Sequence, residues 1–281
     1  MLASSAPARQ ALAPGAARLR VDLVDGASAV TGNCARNPAR LLTPRHRGAA
    51  VWCFTTSFGG GLVAGDHLDL DVALAAGATA LLATQASTKV YHSVDGALAR
   101  QDLEAAVASD AFLVNLPAHV TCFRDARFRA RNRYCLNSGA SLLALDWYSA
   151  GREAHGGERW AFAQLHSSVE LIVDDQLVLR EAVELSEAAG LPALGNRMGR
   201  FAVWGNLVLW GPRCAALSAG LQSPRSGLEK GGDWVASVSP LAEGCILRFA
   251  AVSVEAANTR LRAALVDLIP QLGGDPWART F

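Results

Sequence analysis

Several short motifs that mark catalytic and metal-binding sites are absent from this sequence. Its six cysteines are scattered without a C-x-x-C pair, and its six histidines include no H-E-x-x-H pattern. This spacing argues against a disulfide framework and against a closed zinc site. No G-x-S-x-G or S-x-x-K motif is present, so the common serine nucleophiles have no signature here.

A strong charge of one sign and a long apolar run are also lacking. The formal net charge is +1, which argues against a general affinity for nucleic acid or an anionic membrane. The long uncharged run at residues 72–88 contains a glycine, threonines and a glutamine, and is too polar to span a membrane. We expect the alanine-rich residues 1–18 to be a disordered leader, and residues 19–281 to form a single domain.

Alternation of apolar and polar residues, the pattern of half-buried strands, is abundant. Leu19, Val21 and Leu23 alternate with polar neighbours and lead to a turn signal at residues 25–26. Two further strand-like runs flank residues 174–176, which predicts a hairpin. The class is therefore mainly β.

The C-terminal part has a helical period instead. From Glu255 onward, Leu261, Leu265 and Leu268 recur at helical spacing, which predicts an amphipathic helix that stops near Pro270. We expect one or two α-helices in the whole chain, including this one.

A glycine loop at residues 59–66 ends on a carboxylate. Gly60 and Gly65 have the spacing of a phosphate-binding loop, but Asp66 and His67 stand where that loop needs a lysine and a hydroxyl. A carboxylate there would repel phosphate. The glycines therefore predict a turn with positive φ that leads into a strand. A turn alone does not account for Asp66.

A polar string, T-Q-A-S-T-K-V-Y, follows at residues 84–91. Lys89 and Tyr91 could act as an acid/base pair. A strand lysine paired with a nearby carboxylate is the simpler interpretation, and the sequence leaves both open.

A second polar segment begins at Gly151 and carries Arg152 and Glu158. It suits either a surface loop or a recognition loop. If Asp66, Lys89, Arg152 and Glu158 converge, they form a buried polar channel whose members must satisfy one another.

Four arginines, Arg127, Arg129, Arg131 and Arg133, alternate along one predicted strand and so share one face. Like charges in a row must be solvated or met by carboxylates. The sequence leaves two interpretations open, a solvated outer face and a docking ridge for an acidic partner.

Six blocks in this order resemble the UreD (UreH) family of urease accessory proteins. The resemblance extends over residues 19–281, and its blocks lie at residues 37–42, 60–66, 84–91, 116–127, 151–158 and, after the C-terminal helix, 276–280. It implies a β-helix-like stack of short strands and a cytoplasmic protein without catalytic activity. The implied partners are UreF, the GTPase UreG and apo-urease. A dimer of this chain, formed through the accessory complex, is also compatible with the resemblance.

The resemblance also implies roles for single residues. The family is thought to conduct nickel through an internal tunnel, so Ni²⁺ is expected as a transient cargo, with no tightly bound cofactor. Asp66, Thr88, Lys89 and Glu158 are the candidate lining residues. A further set is expected to shape the blocks: Gly60, Gly61, Gly65, Thr84, Tyr91, Pro117, Gly151 and Arg152.

Two other functions remain open from the sequence. One is a β-rich hydrolase or transferase that uses Lys89, Tyr91 and Glu158. The other is a generic β-scaffold that binds an acidic protein through the four arginines.

Overall fold

The computed structural model describes residues 12–45, 48–187, 190–223 and 232–277. The strands in these ranges are β1 Ala16–Val24, β2 Ala27–Ala35, β3 Ala39–Leu42, β4 Val51–Ser57, β5 His67–Leu74, β6 Thr79–Thr84, β7 Thr88–Val90, β8 Ala99–Val107, β9 Phe112–Leu116, β10 Val120–Cys122, β11 Arg127–Leu136, β12 Ser141–Ser149, β13 Gln164–Val173, β14 Gln176–Ser186, β15 Val203–Trp210, β16 Trp234–Leu241 and β17 Gly244–Ala251. The helices are α1 Leu194–Met198, α2 Ala215–Gln222, α3 Val254–Ala264 and α4 Leu268–Leu272, with a 3-10 turn at Pro212–Cys214.

The strands form two sheets that face each other. Sheet A has the order β14-β13-β11-β8-β5-β1-β2, and sheet B has the order β16-β17-β15-β12-β9-β6-β4-β3. The chain passes from sheet B to sheet A in four successive coils, β4–β5, β6–β8, β9–β11 and β12–β13. Within each sheet the strands of neighbouring coils pair in parallel. This stack of coils is a β-solenoid, and it confirms the predicted mainly β, β-helix-like class.

The central strands of sheet B are apolar on both faces. Every residue of β6, β9 and β12 is buried. One face packs against sheet A, and the other lies under α2, α3 and α4, with Leu143, Leu217 and Leu261 in one cluster. Parallel strands covered on both sides lose the alternation that marks a half-buried strand.

Sheet A alternates because its outer face meets solvent. Leu19, Val72 and Tyr134 point inward and belong to the core between the sheets. The arginines of β11 lie on the opposite, outward face, with the burial alternation expected of a half-exposed strand.

The helices differ from the expectation in number and boundary. Four α-helices occur in the described residues, where the sequence predicted one or two. The C-terminal helix is divided, because α3 ends at Ala264 and α4 begins at Leu268. Pro270 lies in the first turn of α4, where a backbone N–H has no helical partner, and it is therefore tolerated there.

The predicted turns are present, and the leader boundary needs adjustment. β1 and β2 are joined at residues 25–26, and β13 and β14 at residues 174–175. β1 begins at Ala16, before the boundary expected at residue 19. Residues 1–11 lie outside the described residues, so the rest of the leader remains a prediction. Within the described ranges, no helix is both long and apolar enough to cross a membrane.

Candidate functional site

Four of the six sequence blocks that carry the family resemblance meet at one edge of the solenoid, which we call the corner. It consists of the segments that lead from each sheet B strand to the next sheet A strand, residues 58–66, 85–98, 117–126 and 150–163. These segments stack coil upon coil: β7 pairs with β10 and β10 with the end of β12, both in parallel. Four of the six blocks that carry the family resemblance therefore occupy equivalent places in successive coils.

Gly61 lies where the first two coils touch. A Cβ at this position would come within 2.6 Å of the Lys89 carbonyl oxygen and 2.6 Å of a Tyr91 ring carbon. The close approach lets Leu62 donate its N–H to Lys89 O at 2.8 Å, while Tyr91 donates to Leu62 O at 2.9 Å. Gly61 is thus required by backbone contact.

Asp66 closes the glycine turn. Gly60 and Gly65 have φ of +74° and +85°, which glycine adopts without strain. Asp66 Oδ2 accepts the N–H of Val63 at 2.9 Å. The carboxylate that a turn alone did not explain is therefore a side-chain cap of that turn.

Thr84 and Pro117 connect the next coils. Thr84 Oγ1 accepts the N–H of Ala118 at 2.8 Å, and the Pro117 carbonyl accepts the indole N–H of Trp147 at 2.9 Å. All four residues also line the interior cavity described below. These two predicted motif residues therefore fix the wall of that cavity.

Arg152 and Glu158 lock the last corner segment. The guanidinium donates to both carboxylate oxygens, at 2.7 and 3.2 Å, and lies 4.1 Å from the ring centroid of Phe123. Glu158 is 3% exposed. Burial raises its pKa, but hydrogen bonds from Arg152 and from backbone N–H groups outweigh burial, and the pKa is lowered overall. Glu158 is therefore a neutralised structural charge.

Lys89, Tyr91 and Glu158 do not make an evident acid/base set. Lys89 is exposed, and Tyr91 packs edge-on against Phe123 at 5.3 Å between ring centroids. The carboxylate of Glu158 is already held by Arg152. The geometry does not favour the hydrolase or transferase alternative.

The outward arginines of β11 are largely met by carboxylates of the neighbouring strands. Arg129 contacts Asp102 at 3.0 Å, and Arg133 contacts Glu104 at 3.5 Å and Glu170 at 3.9 Å. Arg131 reaches Glu170 at 4.0 Å. A face whose charges are paired within the sheet has less to offer an acidic partner, and the structure favours the interpretation of a solvated face.

An interior cavity of about 120 Å³ runs between the two sheets. Strand residues from all four coils line it, together with Arg40, Ser57 and Ser87, which are exposed or partly exposed. Its lining includes Thr55 of β4, Thr84 of β6, Asn115 of β9 and Asp146 of β12 on one side, with Leu70, Gln101 and Asn132 facing them from sheet A. We call this cavity the passage.

The passage includes some of the predicted residues and excludes others. Thr88 lines it, as do Gly60, Thr84 and Pro117. Asp66, Lys89 and Glu158 do not line this cavity, so their place in a tunnel wall stays a prediction. Asp66 caps a turn, Lys89 points to solvent and Glu158 is held by Arg152.

Asp146 is the buried charged residue in the lining of the passage, and no sequence motif pointed to it. It is 8% exposed and accepts hydrogen bonds from the hydroxyls of Tyr148, at 2.9 Å, and Ser167. Burial raises its pKa to about 6, although the two hydrogen bonds lower it in part. The available signal was a single acid inside the otherwise apolar run of β12.

The described residues contain no group of three or more histidine, cysteine, aspartate or glutamate side chains placed to hold a metal. The six cysteines are unpaired. The passage instead offers isolated oxygen atoms from hydroxyls, amides and one buried carboxylate. Such a lining can contact a hard cation at several points without enclosing it.

Comparison with known proteins gives consistent matches over nearly the whole chain. The family model described as UreD urease accessory protein matches residues 13–280. A protein named urease accessory protein UreD from Sorangium cellulosum is 43% identical over 97% of this chain and 86% of its own length. One of the same name from Anaeromyxobacter is 42% identical over 96% of this chain and 90% of its own length, and urease accessory protein D from Oryza sativa subsp. indica is 32% identical over 99% of both.

The range matched by the family model contains all six of the blocks that suggested the family. A family model that covers residues 13–280 leaves few described residues outside it. The chain belongs to the UreD family of urease accessory proteins.

Proposed function

We propose that this chain is a urease maturation protein that works with UreF and the GTPase UreG on apo-urease, and that nickel moves through its passage. A cytoplasmic location belongs to the same proposal. Two observations support this proposal: the chain contains the passage, and it belongs to a family described as urease accessory proteins. The lining of the passage includes residues from all four coils, which supports a route for a small ion inside the protein.

The lining suits transfer better than storage. Hydroxyl and amide oxygens of Thr84, Thr88 and Asn115 can exchange with the water ligands of a divalent cation one at a time. Only weak binding at several points allows an ion both to enter and to leave. Since its oxygen donors are spread along four coils, the passage has this character.

A reconstituted activation assay tests the proposal. Purified apo-urease, UreF, UreG, GTP, bicarbonate and Ni²⁺ are combined with or without this chain, and nickel bound to urease is measured together with urease activity. We expect both to depend on the chain. Equal nickel content and activity in its absence would refute the maturation role.

Obstruction of the passage tests the route. Ala130 is buried on β11 and lines the cavity, so Ala130→Leu fills part of it. Ala76, exposed in the turn between β5 and β6, gives a matched control in Ala76→Leu. We expect Ala130→Leu to slow nickel incorporation while the complex still assembles. If both variants match the wild type, nickel does not pass this way.

A further inference from the structure

Asp146, which lines the passage, begins a row of polar residues that continues across sheet B. In the strand ladder Asp146 of β12 lies opposite Asn206 of β15, and Asn206 lies opposite Arg248 of β17. Val208 and Ile246, which have the same alternation on β15 and β17, belong to the core between the sheets. The three polar side chains therefore share the inner face of sheet B.

Asn206 has an unexplained buried oxygen. The residue is 1% exposed, and its Oδ1 has no hydrogen-bond donor among the residues that the structure describes. An unsatisfied buried carbonyl oxygen is costly and calls for a ligand, such as an ion or a water molecule. Directly opposite residues in antiparallel strands have Cβ atoms about 5 Å apart, so Asn206 and Asp146 can reach one ligand.

Arg248 closes the row toward the edge of the solenoid. Its guanidinium binds both carboxylate oxygens of Glu181 on sheet A, at 2.6 and 2.8 Å, and donates to Ser239 at 3.0 Å. The charges of Arg248 and Glu181 thus cancel. Asp146, by contrast, receives only hydroxyl hydrogen bonds among the described residues, so its negative charge is unmatched when it is ionised.

We propose that Asp146 and Asn206 form a holding site for a divalent cation beside the passage. This inference rests on the proposed function, because the site would bind the transported nickel ion inside the chain. The Asp146 carboxylate supplies the charge and Asn206 Oδ1 a second oxygen ligand, while water molecules complete the coordination shell. The Arg248–Glu181 pair forms the wall beyond the site.

With only two protein ligands, the site leaves most of the cation's coordination shell to water. Oxygen ligands suit hard and borderline divalent cations, and a site with few protein ligands releases its ion readily. A holding site of this kind would keep the cation inside the coils until a route onward is available.

Direct binding to the intact chain tests the site without urease. Equilibrium dialysis measures Ni²⁺ binding, and electron paramagnetic resonance of Mn²⁺ reports an oxygen-ligated site. The informative variants are Asp146→Asn and Asn206→Leu. Asp174→Asn is a matched control, because it removes a carboxylate that only caps the turn beside Ser138.

We expect Asp146→Asn and Asn206→Leu each to weaken binding by about tenfold or more, and Asp174→Asn to leave it unchanged. Circular dichroism and thermal unfolding verify that the variants are folded. If Asn206→Leu does not fold, Asn206→Ser shortens the side chain and keeps a polar group, with the same loss expected.

Three outcomes would overturn the inference: no binding by the wild type, equal binding by the folded variants, or equal loss in the Asp174 control. The proposed function is judged separately by the activation assay. A chain required for activation but indifferent to these substitutions would retain its function and lose this site. If the chain binds the cation at this site but is not required for activation, the site is retained and the proposed function is refuted.

Discussion

Two buried carboxylates, one in the corner and one in the passage, have opposite electrostatic environments. Glu158 is 3% exposed and Asp146 is 8% exposed, so solvent exposure alone does not separate them. Glu158 is bound by a guanidinium and has a lowered pKa, whereas Asp146 is bound by two hydroxyls and has a raised pKa of about 6. The difference lies in the deeper burial of Asp146 and in the partner that each charge meets.

The comparison distinguishes a charge that stabilises the fold from a charge that is free to interact with a bound cation. The charge of Glu158 is used within the chain, where it fixes the loop after Gly151. The charge of Asp146 meets no cation among the described residues, and because its pKa is raised, its ionisation is expected to oppose folding. A group that destabilises its own protein at neutral pH is a candidate for function, here toward a cation.

Asp146→Asn should give the largest change in stability. The raised pKa means that ionisation opposes folding above the unfolded value of 3.8. The destabilisation grows as pH rises from about 4 and is complete above about 6, at about 3 kcal/mol. An amide can accept from Tyr148 and donate to Ser167. We therefore expect the variant to be more stable by about that amount at pH 7.5, measured by chemical denaturation.

The pH series is the internal control for this prediction. The gain in unfolding free energy should shrink toward zero as pH falls to about 4, because the wild-type carboxyl is then protonated in both states. A loss of stability at pH 7.5, or a gain that does not vary with pH, would show that Asp146 is not an uncompensated charge.

Gly61→Ala tests whether the corner is held by backbone contact. The new Cβ would overlap Lys89 O and the Tyr91 ring, so the two coils must separate. We expect a loss of about 2 kcal/mol in unfolding free energy. Gly60→Ala is the matched control. It has positive φ but open space around the added carbon, and should cost about 1 kcal/mol. Equal losses would mean that the contact at Gly61 is unimportant.

Glu158→Gln should show the opposite pH dependence from Asp146→Asn. Its lowered pKa means that the ionised pair stabilises the fold above the unfolded value of 4.5 and that this contribution disappears as pH falls through the folded pKa. Loss of the charged hydrogen bonds should cost about 2 kcal/mol at pH 7. Thermal unfolding from pH 3 to pH 8 measures the effect, and a cost that persists at pH 3 would contradict the ion-pair explanation.

The outline of the fold could be predicted from the sequence because sheet A faces solvent. Alternation such as Leu19, Val21 and Leu23 marks its strands directly. Sheet B is covered on both sides, so β6, β9 and β12 have no alternation, and helices α1 and α2 gave no clear periodic signal. The sequence does not indicate the division between α3 and α4, because the helical spacing of leucines continues past Ala264 and predicts one helix that stops near Pro270.

The site was less predictable than the fold. The blocks at the corner are prominent because turns, close contacts and a buried ion pair each demand particular residues, such as Gly61 and Glu158. The passage is formed by coils distant in the sequence, and Asp146 carries no neighbouring motif. Its pairing with Asn206 depends on the register of β12 and β15, which no local pattern contains.

The most direct test compares nickel transfer to urease by Asp146→Asn, in the passage, and Glu158→Gln, in the corner. Each variant is assembled with UreF and UreG and given apo-urease and Ni²⁺ at a temperature where both variants are folded. We expect Asp146→Asn to reduce the nickel delivered to urease by about tenfold while Glu158→Gln delivers nearly as much as the wild type. Wild-type delivery by Asp146→Asn would contradict the account.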